Sequence, residues 1–363
     1  GRYRSSSVPG RVVASAETAE IGPNQVTAAL QKLDLTLTPE QGLRILTDNT
    51  LEPANTGITG RLSKAKRLLL LIHGTFSSGE MYTTDLSKEF FKSARNKYSH
   101  IVGFDHPTLS ISPILNSIDL ENSLVKAGLP IDTPIDVVCH SRGGLVATWW
   151  IRGTQFRVDK LVAVAAPLDG TSLASPYRIR YLLDYLANYA KLMSRGLKTA
   201  AMAPTFASGF LAGAGGLMGV LGGFTSALSA LPVADAGIAL VPGLHSMSRV
   251  TNNAEIKRLW ETAPFTAGAQ KVKCFAVTSD FEHQNDKAWW DLWGQLKELP
   301  WAAADGMSDR LFPGANDLVV DTVSMRRNGF VDELSFASSE GVHHCAYFIN
   351  AKTVTRLGAW LEL

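Results

Sequence analysis

A chain of 363 residues, 45% hydrophobic and 19% charged, has enough apolar sequence to bury a sizeable core, which excludes disorder over most of its length. Its formal net charge of +2 is close to balance, so nothing points to nucleic acid as the main partner. The three cysteines, Cys139, Cys274 and Cys345, lie in apolar sequence without C-x-x-C spacing. They support neither a disulfide framework nor a zinc knuckle and fit a reducing, cytoplasmic compartment.

Residues 1–30 read as a flexible polar arm carrying Arg2, Arg4 and Arg11, with no acid before Glu17. The chain opens on Gly1 and shows no leader with a charged start and an apolar core, which raises the expectation of a piece of a larger multidomain protein, released by proteolysis. Order is expected from about Leu33, where the alternation in Leu33-Asp34-Leu35-Thr36-Leu37 suggests an edge strand. Arg67–Ile72 is a continuous apolar run of the kind buried on both faces of a sheet, and similar runs follow at Ile101–Phe104, Ile135–Cys139, Leu161–Ala165 and Val272–Thr278. Helical segments separate them, so the expected fold is α/β: a mostly parallel sheet flanked by helices, with ligand sites at the carboxyl ends of the strands. Its core is expected over 31–169 and 270–363.

The strand ends carry the chemistry. In Cys139-His140-Ser141-Arg142-Gly143-Gly144, a serine follows a strand and precedes a plausible helix, Gly143–Ile151, which is the context of a nucleophile elbow. Small neighbours are needed because the bend is strained and the helix must approach the strand closely. Gly143 and Gly144 meet that need, while Cys139 stands where the G-x-S-x-G pattern has its first glycine. Donors for a developing oxyanion are expected from the backbone N–H of Arg142 and, after the strand ending at Ile72, from that of Thr75. His73 reads as a loop histidine satisfied by hydrogen bonds, with general base as the rival reading.

An acid and then a histidine should follow in chain order. Asp317 fits a loop position, with Asp169 and Asp321 as rivals; His344 is favoured over His343, both just ahead of a terminal helix. A turn aspartate capping its own backbone is the plain alternative for any of the acids. No metal and no cofactor is expected, since adjacent histidines seldom chelate one ion and no second ligand cluster exists.

Between residues 170 and 269 the strand–helix alternation stops. A candidate amphipathic helix carries Leu182, Leu186, Tyr189 and Met193, and Thr199–Ala234 has no charged residue. That stretch exceeds the roughly 20 residues that span a bilayer, yet seven of its residues are glycine, with Gly215, Gly219 and Gly223 at spacing suited to close helix contact. A helical cap over the site, a lid opening onto a lipid surface and a membrane span all remain open. Trp289, Trp290, Trp293 and Leu296 fit either an interfacial anchor or core packing.

With these residues in hand, the chain resembles the lipase and esterase branch of the α/β-hydrolase superfamily, through "LLIHGTF", "GFDHPTLS", "DVVCHSRGGLVA", "VAAPLDGT" and "NDLVVDTVSM", over about residues 60–362. The resemblance implies an α/β-hydrolase fold and acyl transfer to water by Ser141, His344 and Asp317, with Thr75 and Arg142 as the oxyanion hole and no cofactor. The expected substrate is an acyl lipid or another hydrophobic ester, with membrane contact through the cap. A thioesterase or amidase using the same triad, or a membrane-disrupting module on a hydrolase scaffold, is the alternative.

Overall fold

The computed structural model describes residues 23–53, 56–174, 216–217, 241–249, 253–261, 271–281 and 314–363. The apolar run Leu68–Ile72 forms β3, every residue of which is buried. It lies inside an eight-stranded sheet of β1 (Gly42–Thr47), β2 (Thr50–Leu51), β3, β4 (His100–Asp105), β5 (Ile135–His140), β6 (Val158–Val164), β7 (Lys273–Ser279) and β8 (Asp332–Phe336), in the spatial order 2-1-4-3-5-6-7-8. β3 to β8 pair in parallel, and β1 runs antiparallel to β2 and β4. This is the α/β-hydrolase fold, and each expected inner strand is found within a few residues of its sequence position.

Alternation along the strands divides the core. Leu69, Leu71, Val138 and Val162 face one apolar cluster, and Leu68, Leu70, Ile72, Val137 and Leu161 face the other. On the second side, α4 (Pro113–Lys126) and α5 (Gly143–Gly153) cover the sheet with Leu120, Leu124, Val146 and Trp150. The first side receives α3 (Lys88–Lys97) through Phe90 and Phe91 and the terminal helix α8 (Ala351–Leu361) through Leu357 and Trp360. The shorter helices are α2 (Glu80–Asp85), α6 (Pro242–His245) and α7 (Ala254–Glu261).

One expectation fails. Residues 33–37 are not an edge strand but the end of helix α1 (Pro23–Leu37), so regular structure is already present ten residues before Leu33. The helical stripe is Leu30, Leu33, Asp34 and Leu37, of which Leu30 and Asp34 are fully buried; Leu35, needed for a strand-like face, is 55% exposed. The edge of the sheet belongs to the two-residue β2, beside β1.

Asp34 explains why α1 sits where it does. Its carboxylate accepts from the backbone N–H groups of Thr108 (2.8 Å), Leu109 (3.0 Å) and Ser110 (2.8 Å) and from the Ser110 hydroxyl (2.6 Å). A single buried anion thus ties α1 to the loop after β4, which rims the carboxyl end of the sheet. The uncharged stretch 199–234 lies outside the described residues except for Gly216 and Leu217, and so do Leu182, Leu186, Tyr189, Met193, Trp289, Trp290, Trp293 and Leu296. No helix among the described residues is long and apolar enough to cross a membrane.

Asp34→Ala strips the N–H groups of buried Thr108 and Leu109 and of half-buried Ser110 of their acceptor and should lower stability by about 3 kcal/mol. Urea unfolding with an unchanged slope and a lower midpoint is the expected result. A midpoint equal to that of the unsubstituted chain would contradict this role for α1.

Candidate active site

At the end of β5 the chain turns sharply. Ser141 has φ 50°, a left-handed conformation that costs a residue with a Cβ about 1–2 kcal/mol. Its N–H donates to Val164 O on the neighbouring strand at 2.9 Å, and its carbonyl accepts from Gly144 at 2.8 Å as α5 begins. Neighbouring glycines make the bend feasible. A Cβ on Gly143 would stand 2.5 Å from the carbonyl oxygens of both Ile72 and His73, one on Gly144 2.3 Å from Ala166 Cβ, and one on Gly74 2.7 Å from Ser141 Cβ. Cys139, in place of the usual first glycine, is fully buried with Sγ 3.5 Å from Val162 O.

Of the candidate acids and histidines, the structure brings Asp317 and His344 together. Asp317 Oδ2 accepts from His344 Nδ1 at 2.7 Å, both residues being buried. Because a carboxylate can only accept, Nδ1 carries the proton of this bond. Asp317 is held on every side: Oδ1 accepts from Val319 (3.1 Å) and Val320 (2.8 Å), and Oδ2 also accepts from the Tyr347 hydroxyl at 2.9 Å. The rival Asp169 pairs with Arg327, and Asp321 accepts from the N–H and hydroxyl of Ser172. His343 packs edge-on against Phe281, and its Nδ1 accepts from Cys345 N at 3.3 Å.

His140 joins the two halves. Its Nε2 donates to the backbone oxygen of His344 at 3.1 Å, and the two rings lie 4.8 Å apart. The residue just before Ser141 therefore anchors the histidine loop to the elbow. Sequence reasoning gave neither His140 nor Tyr347 a role; each acts through a contact that no local pattern announces.

After β3, His73 behaves as the expected loop histidine. His106 N–H donates to its Nε2 at 3.1 Å, so its proton is on Nδ1, which donates to Gly74 O at 2.9 Å. Asp105 Oδ1, 3.7 Å from Nε2, is too far for a hydrogen bond. Burial lowers the His73 pKa to about 4, so the ring is neutral. The loop continues through Phe76 at φ 58°, a second strained residue. Among the described residues, the backbone N–H groups of Thr75 and Arg142 have no hydrogen-bond partner, which leaves two donors in the loops flanking the serine.

Residues 44–362 match the family described as "Domain of unknown function (DUF7379)". The chain belongs to this family. No curated protein matches it. Among solved structures, it is similar to the mature lipase of Bacillus licheniformis at 14% identity, over 84% of this chain and 94% of that one, with a TM-score of 0.43. Lipase 1 of Pelosinus fermentans matches at 12% identity, 82% and 98% coverage and a TM-score of 0.44. A bacterial membrane phospholipase A matches at 13% identity, 94% and 91% coverage and a TM-score of 0.39.

Two measurements check the local physics. Gly143→Ala should destabilise the chain by about 1–3 kcal/mol, because backbone oxygens on both sides leave the new methyl nowhere to go; a midpoint unchanged in urea would contradict the packing. His73 is protonated below about pH 6.5 when unfolded but only below about 4 when folded, so it makes stability fall as pH drops through that window. His73→Asn should therefore flatten the stability profile between pH 6.5 and 4 by about 1.4 kcal/mol per pH unit. Parallel profiles for the two chains would show that His73 is not held neutral.

Proposed function

We propose that this protein is a serine hydrolase that cleaves carboxylic esters of acyl lipids, by a triad of Ser141, His344 and Asp317. The observation that carries this reading is the coincidence of a strained serine at φ 50° with a buried histidine–aspartate pair at 2.7 Å, linked by His140. In this reading Ser141 Oγ attacks the ester carbonyl while His344 Nε2 takes its proton. The same nitrogen then returns the proton to the leaving alcohol, and water repeats the sequence to release the acid. Asp317 holds the Nδ1 proton and stabilises the imidazolium. The Thr75 and Arg142 amides receive the negative oxygen, each worth about 3 kcal/mol at the transition state.

An apolar acyl group is supported by what lies over the oxyanion loop. The Thr75 hydroxyl is 3.6 Å from Met247 Sδ, Gly243 N donates to Leu109 O at 2.9 Å, and Leu109, Leu244 and Met247 are all buried. In this reading 170–269, most of which lies outside the described residues, is the candidate cap, whereas of the arm expected over 1–30 the residues from Pro23 onward belong to helix α1.

Hydrolysis of p-nitrophenyl esters of increasing chain length tests the proposal. Ser141→Ala and His344→Ala should each lose at least about a thousandfold in kcat. Turnover that survives Ser141→Ala would overturn it. Tyr347→Phe removes one of the four hydrogen bonds to the Asp317 carboxylate, and kcat should fall about fivefold, near 1 kcal/mol. With one restraint fewer the carboxylate can turn and the imidazole is aimed less well, so the loss should appear in kcat with KM unchanged. A change in melting temperature alone, with kcat unmoved, would make Tyr347 merely structural.

A further inference from the structure

Arg142 does more than lend its backbone to the elbow. Its side chain is fully buried, and one nitrogen, Nη2, donates to Ile111 O and, at 2.8 Å, to Asn116 Oδ1. The other two, Nε and Nη1, have no hydrogen-bond partner among the described residues, and neither has Nδ2 of the equally buried Asn116. These atoms carry five N–H bonds in one place. Buried donors are almost always satisfied, and each one left open costs about 1–3 kcal/mol.

The charge is open as well. Arg142 forms no ion pair among the described residues, and the carboxylates that act on it, Asp34 and Glu255, do so only across space. Asp34 is occupied by the loop after β4. Glu255 Oε2 is likewise buried without a hydrogen-bond partner, and burial raises the pKa of its carboxyl, which weakens its competition for the guanidinium. The amino end of α4, a 14-residue helix whose Ser112 side chain makes no capping bond, adds a partial positive charge beside Asn116. Burial brings the Arg142 pKa down to about 10, so the group is still a cation at pH 7.

We propose that Arg142 Nε and Nη1, with Asn116 Nδ2, form a subsite for an anionic oxygen group, carboxylate or phosphate, carried by the ester substrate. This inference rests on the serine-hydrolase reading, since Arg142 also supplies an amide of the proposed oxyanion pair. The subsite therefore lies within one side chain of the reacting carbonyl. The acyl-lipid reading is thereby narrowed to acidic esters, such as a monoacylglycerol phosphate or the monoester of a diacid.

The test compares kcat/KM for two matched pairs: mono-p-nitrophenyl glutarate against p-nitrophenyl butyrate, and a monoacylglycerol 3-phosphate against the same monoacylglycerol. The unsubstituted chain should prefer the anionic member of at least one pair by tenfold or more, and that pair identifies carboxylate or phosphate as the source. Asn116→Asp, which places a negative charge in the subsite, and Arg142→Gln should each reduce the preference about tenfold. A preference near one in the unsubstituted chain, or one unmoved by either substitution, would leave Arg142 a structural tie between Ile111 and Asn116 and overturn the subsite.

Binding without turnover separates this outcome from failure of the enzyme reading. Titration of the full chain with inorganic phosphate and with glutarate should raise its melting temperature, with the rise lost in Asn116→Asp. No shift with either anion overturns the subsite even if neutral esters are hydrolysed; a shift without hydrolysis of any ester retains the subsite and overturns the triad.

Discussion

The arrangement depends on holding one serine in a backbone conformation it would not choose. At φ 50° Ser141 stands on a bend between β5 and α5, and the neighbouring strands supply what keeps it there. Val164 O takes its N–H, while the carbonyl oxygens of Ile72 and His73 and the Cβ of Ala166 crowd Gly143 and Gly144 so closely that no side chain fits. The bend is thus a product of the parallel packing of β3, β5 and β6. Strain of about 1–2 kcal/mol is small against the core those strands bury, which is how a sheet buried on both faces can sustain it.

The acid side is built differently. Asp317 is not strained but saturated, with four hydrogen bonds from His344, Tyr347, Val319 and Val320. Such a carboxylate has no freedom to rotate, so the imidazole it orients has none either. His140 then fixes the remaining degree of freedom, the position of the His344 backbone relative to the elbow. The two halves of the candidate site thus meet through one buried hydrogen bond.

Much of this was legible in the sequence, and the reasons are physical. Strands buried on both faces appear as unbroken apolar runs, so β3 to β7 and the serine at the end of β5 could be read directly. The outer strands could not: β1 contains the buried Arg44, and β8 reads Asp-Glu-Leu-Ser-Phe, neither an apolar run. α1 was misread because Leu33, Leu35 and Leu37 satisfy a period of two while Leu30, Leu33 and Leu37 satisfy a helix, and only burial distinguishes them. Asp34 meets a loop 74 residues away, and Tyr347 meets an acid 30 residues away. No local pattern carries contacts of that range. Asp317 and His344 were favoured from their loop positions over Asp169, Asp321 and His343, but the hydrogen bond that pairs them spans 27 residues and no local pattern announces it.

The most direct measurement is fluorophosphonate labelling of the folded chain, read by intact mass and peptide mapping, with the same reaction repeated in urea. A single label is expected, at Ser141 and only in the folded chain. No label, or one placed elsewhere, would mean that the bend at Ser141 does not activate it.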